Sequence, residues 1–404
     1  MFVQLICKDR NEKEMNELYE VLGAICQREG IQIEDRGNQV EILACPQGKI
    51  IVTEQDETMV LSANTRHAGA GFHAFVVDIF KDIEEEVPGE YELIDDLEYA
   101  NDEDFHRLHH VYENELDYLR NLLLTDPEFR KKNYLYDETY FLPIEKENNI
   151  LTPIGEMSQD ELLKKDLHDL MDVFYVWNDW DRDAQFYKNA ALTLLAKEGV
   201  GMYTNMNEQT EKVANEVCDY LEIAYEKDPS ILLPLIEYKE LIDRLGREDK
   251  LKEAKGLDKP AIQYRTEEVY HLFQDAKVVA PGAAERSYDP INESMNLMAP
   301  YIEEGQWSWL IQASKKPDII TNMEHLQEQE PLQIHDNIVW IDDWMEDGYY
   351  VIEAMLRHDE QFLYFHDICA DEKEVPYLKE CIYKSGFQWK TGVFSVTISS
   401  AGKD

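Results

Sequence analysis

Between Asp78 and Asp117 the chain carries sixteen acidic side chains and two basic ones, Lys81 and Arg107, yet apolar residues run through the same stretch. A block of like charge without apolar partners stays disordered. Here Ile79, Phe80, Ile83, Leu93, Leu108, Tyr112 and Leu116 interleave with the acids, so the segment can bury one side and expose the other. The expected product is a folded element with a negative outer face.

The rest of the chain agrees in sign: 84 acids against 39 bases give a net charge of −45 over 404 residues. That excludes unaided binding to a phosphate backbone, so no nucleic-acid partner is expected. Two readings of the acidic face remain. It is either a solvated surface that maintains solubility, or a surface that captures a basic protein and steers its approach, as immunity proteins and inhibitors do. The second is the leading functional expectation, with no enzyme activity implied. Its candidate partner-binding residues are Glu84, Glu85, Glu86, Asp95, Asp96, Asp102 and Asp104.

At roughly 100–200 residues per domain the length suits two or three domains, with 44% hydrophobic residues to fill their cores. The apolar start, Met1 to Cys7, runs directly into Lys8, Asp9 and Arg10, and no later stretch is long and apolar enough to span a bilayer. Six cysteines, Cys7, Cys26, Cys45, Cys218, Cys369 and Cys381, are scattered without a C-x-x-C pair. Reduced thiols, a cytoplasmic location, no membrane association and no resident cofactor are the expectations.

The fold class expected is α+β in three regions. Residues 1–125 read as an antiparallel sheet covered by helices: strands at Phe2 to Cys7, Ile31 to Asp35, Gln39 to Ala44, Lys49 to Thr53 and Met59 to Ser62, and helices over Glu12 to Arg28, Phe72 to Glu86 and Glu103 to Leu124. Residues 155–250 read as helical. Leu162 to Trp177 form one helix there, Phe186 to Lys197 a second that stops at Gly199 and Gly201, Glu208 to Glu226 a third and Ser230 to Leu245 a fourth. Tyr220 to Ser230 (YLEIAYEKDPS) resembles the second helix of a tetratricopeptide repeat, but without a second copy at that period it reads as a common helix ending. A charged stretch, 247–260, is the candidate linker. Residues 261–404 read as mostly antiparallel β, with a hairpin around Met345-Glu346-Asp347-Gly348, strands at Phe362 to Ile368 and Val393 to Ile398, and five of the seven tryptophans as core or groove residues.

Three constellations are candidates for chemistry. The loop Asn64-Thr65-Arg66-His67-Ala68-Gly69-Ala70-Gly71-Phe72-His73 joins a strand to a helix start. Its Arg66, His67, Gly69, Gly71 and His73 suit a small-molecule anion, phosphorylated or carboxylated, with the imidazoles as acid or base; a purely structural turn is the alternative. His106, His110 and Glu113 share a helix face and could meet one metal ion, although the apolar stripe of that helix explains it without metal. Asp342, Asp343, Glu346 and Asp347 surround Trp344, as carboxylates beside an aromatic platform or as exposed turn acids. Asp179, Asp181 and Asp183 have the opening spacing of a calcium loop, but Ala184 stands where glycine is required, so helix capping is the better reading.

Overall fold

The computed structural model describes residues 1–8, 10–55, 57–125, 149–152, 155–198, 207–262, 268–282, 284–299 and 308–387. The chain divides into two compact units, Met1–Glu267 and Glu268–Asp404. Together they form a mixed α+β protein with an N-terminal antiparallel sheet, central helices and a β-rich C-terminal part.

The first unit opens with β1 (Phe2–Lys8), whose residues alternate so that Val3, Leu5 and Cys7 are buried. It is followed by α1 (Glu12–Glu29), capped by Asn11 in a reciprocal capping box with Glu14. Strands β2 (Gln32–Asp35), β3 (Val40–Cys45), β4 (Gly48–Gln55) and β5 (Thr58–Asn64) make the expected antiparallel meander. The strand order is β2-β3-β4-β5-β1-β6, so β1 is inserted between β5 and β6 (Glu90–Asp95), a strand hidden in the acidic block. Helices α2 (Ala70–Glu86) and α4 (Phe105–Thr125), with the short α3 (Tyr99–Asp102) between them, join α1 over the buried face, where Phe72, Phe80, Leu108 and Tyr112 are fully enclosed.

The core of this sheet extends to Ala190, so the N-terminal and early central regions share one hydrophobic cluster. After a small hairpin of β7 (Asn149–Thr152) and β8 (Gly155–Ser158), the expected helix from Leu162 to Trp177 is broken into α5 (Gln159–Lys164) and α6 (Leu167–Phe174). Asp166 separates them by accepting a hydrogen bond from the Asp169 amide as the N-cap of α6. Trp177 lies beyond the end of α6, outside any helix or strand. Asp183 caps α7 (Ala184–Glu198) through the Phe186 amide, which is the role the three spaced aspartates suggested.

α8 (Glu208–Lys227) and α9 (Leu235–Leu245) pack with α7 around Leu195, Val217, Leu221, Tyr238 and Leu241. Pro234 delays the start of α9, because the residue before proline is pushed towards extended backbone; Leu232 and Leu233 accordingly form β9. Residues 247–260 are bound to these helices. Lys255 and Gly256 form β10 parallel to β9, Leu251 is buried, and Arg247 binds Asp219 and Glu222. The division between units falls after Glu267, beyond this stretch.

The second unit holds β11 (Glu268–Phe273), β12 (Ala276–Pro281), β13 (Glu285–Asp289), β14 (Ser294–Met298), β15 (Trp309–Ser314), the six-residue α10 (Met323–Glu328), β16 (Leu332–Ile334), β17 (Asn337–Glu346), β18 (Tyr349–His358), β19 (Gln361–Cys369), α11 (Val375–Lys384) and β20 (Gly386–Phe387). Seven strands form an antiparallel sheet in the order β13-β14-β15-β19-β18-β17-β16, and β11, β12 and β20 form a second, smaller one. The expected hairpin turns at Asp347 and Gly348 between β17 and β18. Trp309 is core, whereas Trp340 and Trp344 are half-buried. Trp307, Trp389, the strand expected at Val393 to Ile398 and the stop expected at Gly199 and Gly201 lie outside the described residues.

Candidate functional site

The glycine loop is occupied by its own chain. β5 delivers Thr65 into the core and α2 starts at Ala70, with Gly69 at the cap in a left-handed conformation, φ 118°. The Gly71 amide, which an anion at the helix start would need, donates to the Trp177 carbonyl oxygen at 3.1 Å, and the Trp177 amide donates to Ala68 at 2.8 Å. A Cβ at position 69 or 71 would fall on the Trp177 or Asp179 carbonyl. These glycines admit the 175–179 segment at close range.

His73 is fully buried. Its Nδ1 lies 2.9 Å from Thr65 Oγ1 and its Nε2 lies 3.0 Å from Asp95 Oδ1. Tyr112 donates its hydroxyl to Thr65 Oγ1 at 2.9 Å, and Asp95 accepts the amides of Leu97 and Ala100 at 2.9 and 2.8 Å. Burial acts to raise the Asp95 pKa, but the hydrogen bonds from His73 and these amides outweigh it and hold the carboxyl below its usual range. Hydroxyl, imidazole and carboxylate follow one another as in acyl-transfer triads. Thr65, His73 and Tyr112 have 0% exposure, so no substrate atom can reach the hydroxyl; the network ties β5, α2 and the end of β6 together. His67 is half-buried, its Nδ1 lacks a hydrogen-bond partner, and burial, with help from Arg66, pushes its pKa down. Arg66 is exposed and pairs with Glu115 on α4.

The seven acidic candidates separate in the same way. Asp95 points inward. Asp96 accepts the Phe2 amide at 2.9 Å, Asp102 binds Arg107 at 2.7 Å, and Asp104 accepts the Arg107 amide at 3.1 Å in the first turn of α4. Glu84, Glu85 and Glu86 are different: they form the last turn of α2, they have no ion pair among the described residues, and that turn contains no base. Glu84 is half-buried, and desolvation raises its pKa, while Glu85 and Glu86 are exposed.

The metal set is not assembled. His110 Nδ1 lies 2.9 Å from Glu113 Oε2, with His110 68% exposed at its side chain, and among the described residues no group of three or more His, Cys, Asp or Glu is placed to hold a metal ion. His109 is drawn inward instead, its ring 5.8 Å from that of His168, and burial lowers its pKa.

In the second unit a cleft of about 320 Å³ opens over the face of the large sheet. Strand alternation puts Asp342, Trp344 and Glu346 of β17 on that face and Asp343 on the other, where it pairs with Lys379. The register then runs Asp342 to Glu353 to His366 across β17, β18 and β19, giving a polar row across three strands. Glu353 is 1% exposed and accepts the Thr321 amide at 2.6 Å and His366 Nδ1 at 3.1 Å. Burial works to raise its pKa, but His366 and Thr321 prevail and keep it ionised. His325 of α10 contacts Asp342 at 2.8 Å, and the Trp344 indole donates to Glu346 at 3.1 Å. Of the four acids that the sequence placed around Trp344, Asp342 and Glu346 share its face and Asp343 does not, as expected of neighbours on a hairpin; Glu353, His366 and His325 were not read in the sequence, because only the register brings them there.

The six cysteines are all free and buried, and among the described residues no helix is long and apolar enough to cross a membrane. By fold this is a mixed α+β protein of two compact units. Compared with protein-family models, with curated proteins and with solved structures, the chain finds no match.

Proposed function

We propose that the chain is a binding protein that captures a basic protein partner on the acidic surface at the end of α2, in the manner of an immunity protein or inhibitor. The observation that carries this reading is the charge order of α2. The C-terminus of a helix bears negative partial charge, where a cation stabilises and an anion destabilises by about 0.3–1 kcal/mol. α2 has no acid in its first turn, no base in its last, and Glu84, Glu85 and Glu86 at the end where acids cost most. Several other acids of the block are used locally: Asp82 binds Arg28, Asp102 binds Arg107, and Glu103 binds Lys81. Lys81 offsets part of the Glu84 charge from within the helix, but Glu85 and Glu86 form no ion pair among the described residues, and a locally unfavourable, unpaired cluster fits a surface kept for a partner. The free buried thiols accord with a reducing, cytoplasmic setting.

The anion reading of the 64–73 loop is set aside, because its helix-start amide is spent on Trp177. The test of the capture reading is association kinetics at several salt concentrations for the parent and for the double variant Glu85→Lys, Glu86→Lys. Slower association and a shallower salt dependence are expected in the variant. An unchanged rate and salt slope would refute it.

A further inference from the structure

We propose that the cleft of the second unit is a binding site for a small organic cation, an alkyl ammonium or guanidinium, held between the Trp344 indole and the carboxylates of Glu346 and Asp342.

The lining sets the chemistry. Asp342, Glu346 and Glu353 line the cleft with one imidazole, His325, which pairs with Asp342 at 2.8 Å; Glu346 and Glu353 leave the balance negative, so an anion is repelled and a cation attracted. Glu353 is satisfied by Thr321 and His366 and forms the negative floor, while Asp342 and Glu346 stand nearer to solvent. A bare metal ion does not suit the place: no group of metal-ligating residues is assembled among the described residues, and an indole and the Leu326 side chain form part of the wall. An aromatic face and an aliphatic wall beside carboxylates suit a cation carried on a hydrocarbon stem, through cation–π attraction and burial of the stem. The volume, about 320 Å³, lies at the low end of the range for small-molecule sites, about 300–1,000 Å³, so the ligand is small. Glu346 already accepts the indole N–H of Trp344, which fixes the carboxylate at the edge of the ring whose face would take the cation. This site is in a different unit from the α2 surface and does not depend on the capture of a protein partner.

The experiment is calorimetric titration of the full chain with agmatine, which carries an ammonium and a guanidinium on one short chain, beside glutarate as an anion and glucose as a neutral ring. Saturable agmatine binding is expected, with no binding of glutarate or glucose at about 10 mM. Trp344→Ala and, separately, Glu346→Gln should each weaken agmatine about tenfold. Glu346 is exposed, so its substitution leaves the fold intact even if that of Trp344 does not. Asp343→Asn, on the opposite sheet face, should leave the affinity unchanged. The proposal is overturned if agmatine does not saturate, if Glu346→Gln binds it as tightly as the parent, or if glucose or glutarate binds equally well.

Discussion

Gly71 donates its amide hydrogen to the carbonyl oxygen of Trp177 at 3.1 Å, joining the start of α2 to a segment more than a hundred residues later in the chain. A side chain at position 71 would meet the Asp179 carbonyl and the Trp177 indole, the latter packed in the core. Gly71→Ala is therefore expected to cost about 3 kcal/mol by overpacking, measured as a lower urea midpoint. A variant as stable as the parent would show that this close approach is dispensable.

The buried network around His73 makes a pH-dependent prediction. Asp95 has a folded pKa below its unfolded value of about 3.9, so its contribution is complete above that pH and is lost as pH falls through the folded value. His73→Ala leaves the Asp95 carboxylate buried with its two amide donors alone, and about 3 kcal/mol of stability should go at neutral pH. Acid titration of the urea midpoint should show a smaller acid-induced loss in the variant than in the parent. Parallel curves would remove Asp95 from the explanation.

Asp367 has the opposite sign. It is fully buried, accepts the Gln312 amide on Oδ1 and has no partner on Oδ2, and burial drives its pKa far above the carboxylate range. The native state holds the proton while the unfolded chain releases it above about pH 4, so stability declines as pH rises from there towards neutrality. Asp367→Asn should raise the urea midpoint at pH 7 and lose that advantage at about pH 3, where both states of the parent are protonated. An equal effect at both pH values would contradict the assignment.

Arg247 tests whether residues 247–260 belong to the helical layer. Glu222, 6% exposed, accepts from Arg247 at 2.9 Å, from Lys250 at 2.6 Å and from the Tyr238 hydroxyl at 3.1 Å. Arg247→Ala should cost about 2 kcal/mol, the worth of a hydrogen bond to a half-shielded charge, seen in thermal unfolding of the full chain. No change would return this stretch to the status of a tether.

The sequence disclosed the elements that bury one clean face. The meander of β2 to β5, the helix with Met15, Leu18, Leu22 and Cys26 at helical spacing, and the β17–β18 hairpin at Asp347-Gly348 were all legible from periodicity and turn residues. β6 was not, because Glu90 and Glu92 alternate with Tyr91 and Leu93 only briefly before Ile94 and Asp95 break the pattern, inside a stretch dominated by its charge. The strands β11 to β15 escaped because they are only five or six residues long. Asp166 broke a helix that the leucine spacing alone continued. In the loop, glycines read as room for an anion are room for Trp177. Side chains can announce that a backbone must come close to something, but not to what.

Glu85 and Glu86 supply the account's trade-off between stability and function. Replacing both with lysine puts cations at the negative end of α2 and should stabilise the chain by about 1 kcal/mol. A small rise in melting temperature is the expected outcome, and destabilisation would contradict the dipole argument that carries the proposed function.

The most direct test of that function is affinity capture from native lysate with the parent and the Glu85→Lys, Glu86→Lys variant side by side, at low and high salt, with the retained proteins identified and their stoichiometry measured. The account expects one basic protein held stoichiometrically by the parent at low salt, released at high salt and absent from the variant. A partner retained equally by both, or no stoichiometric partner for the parent, would contradict it.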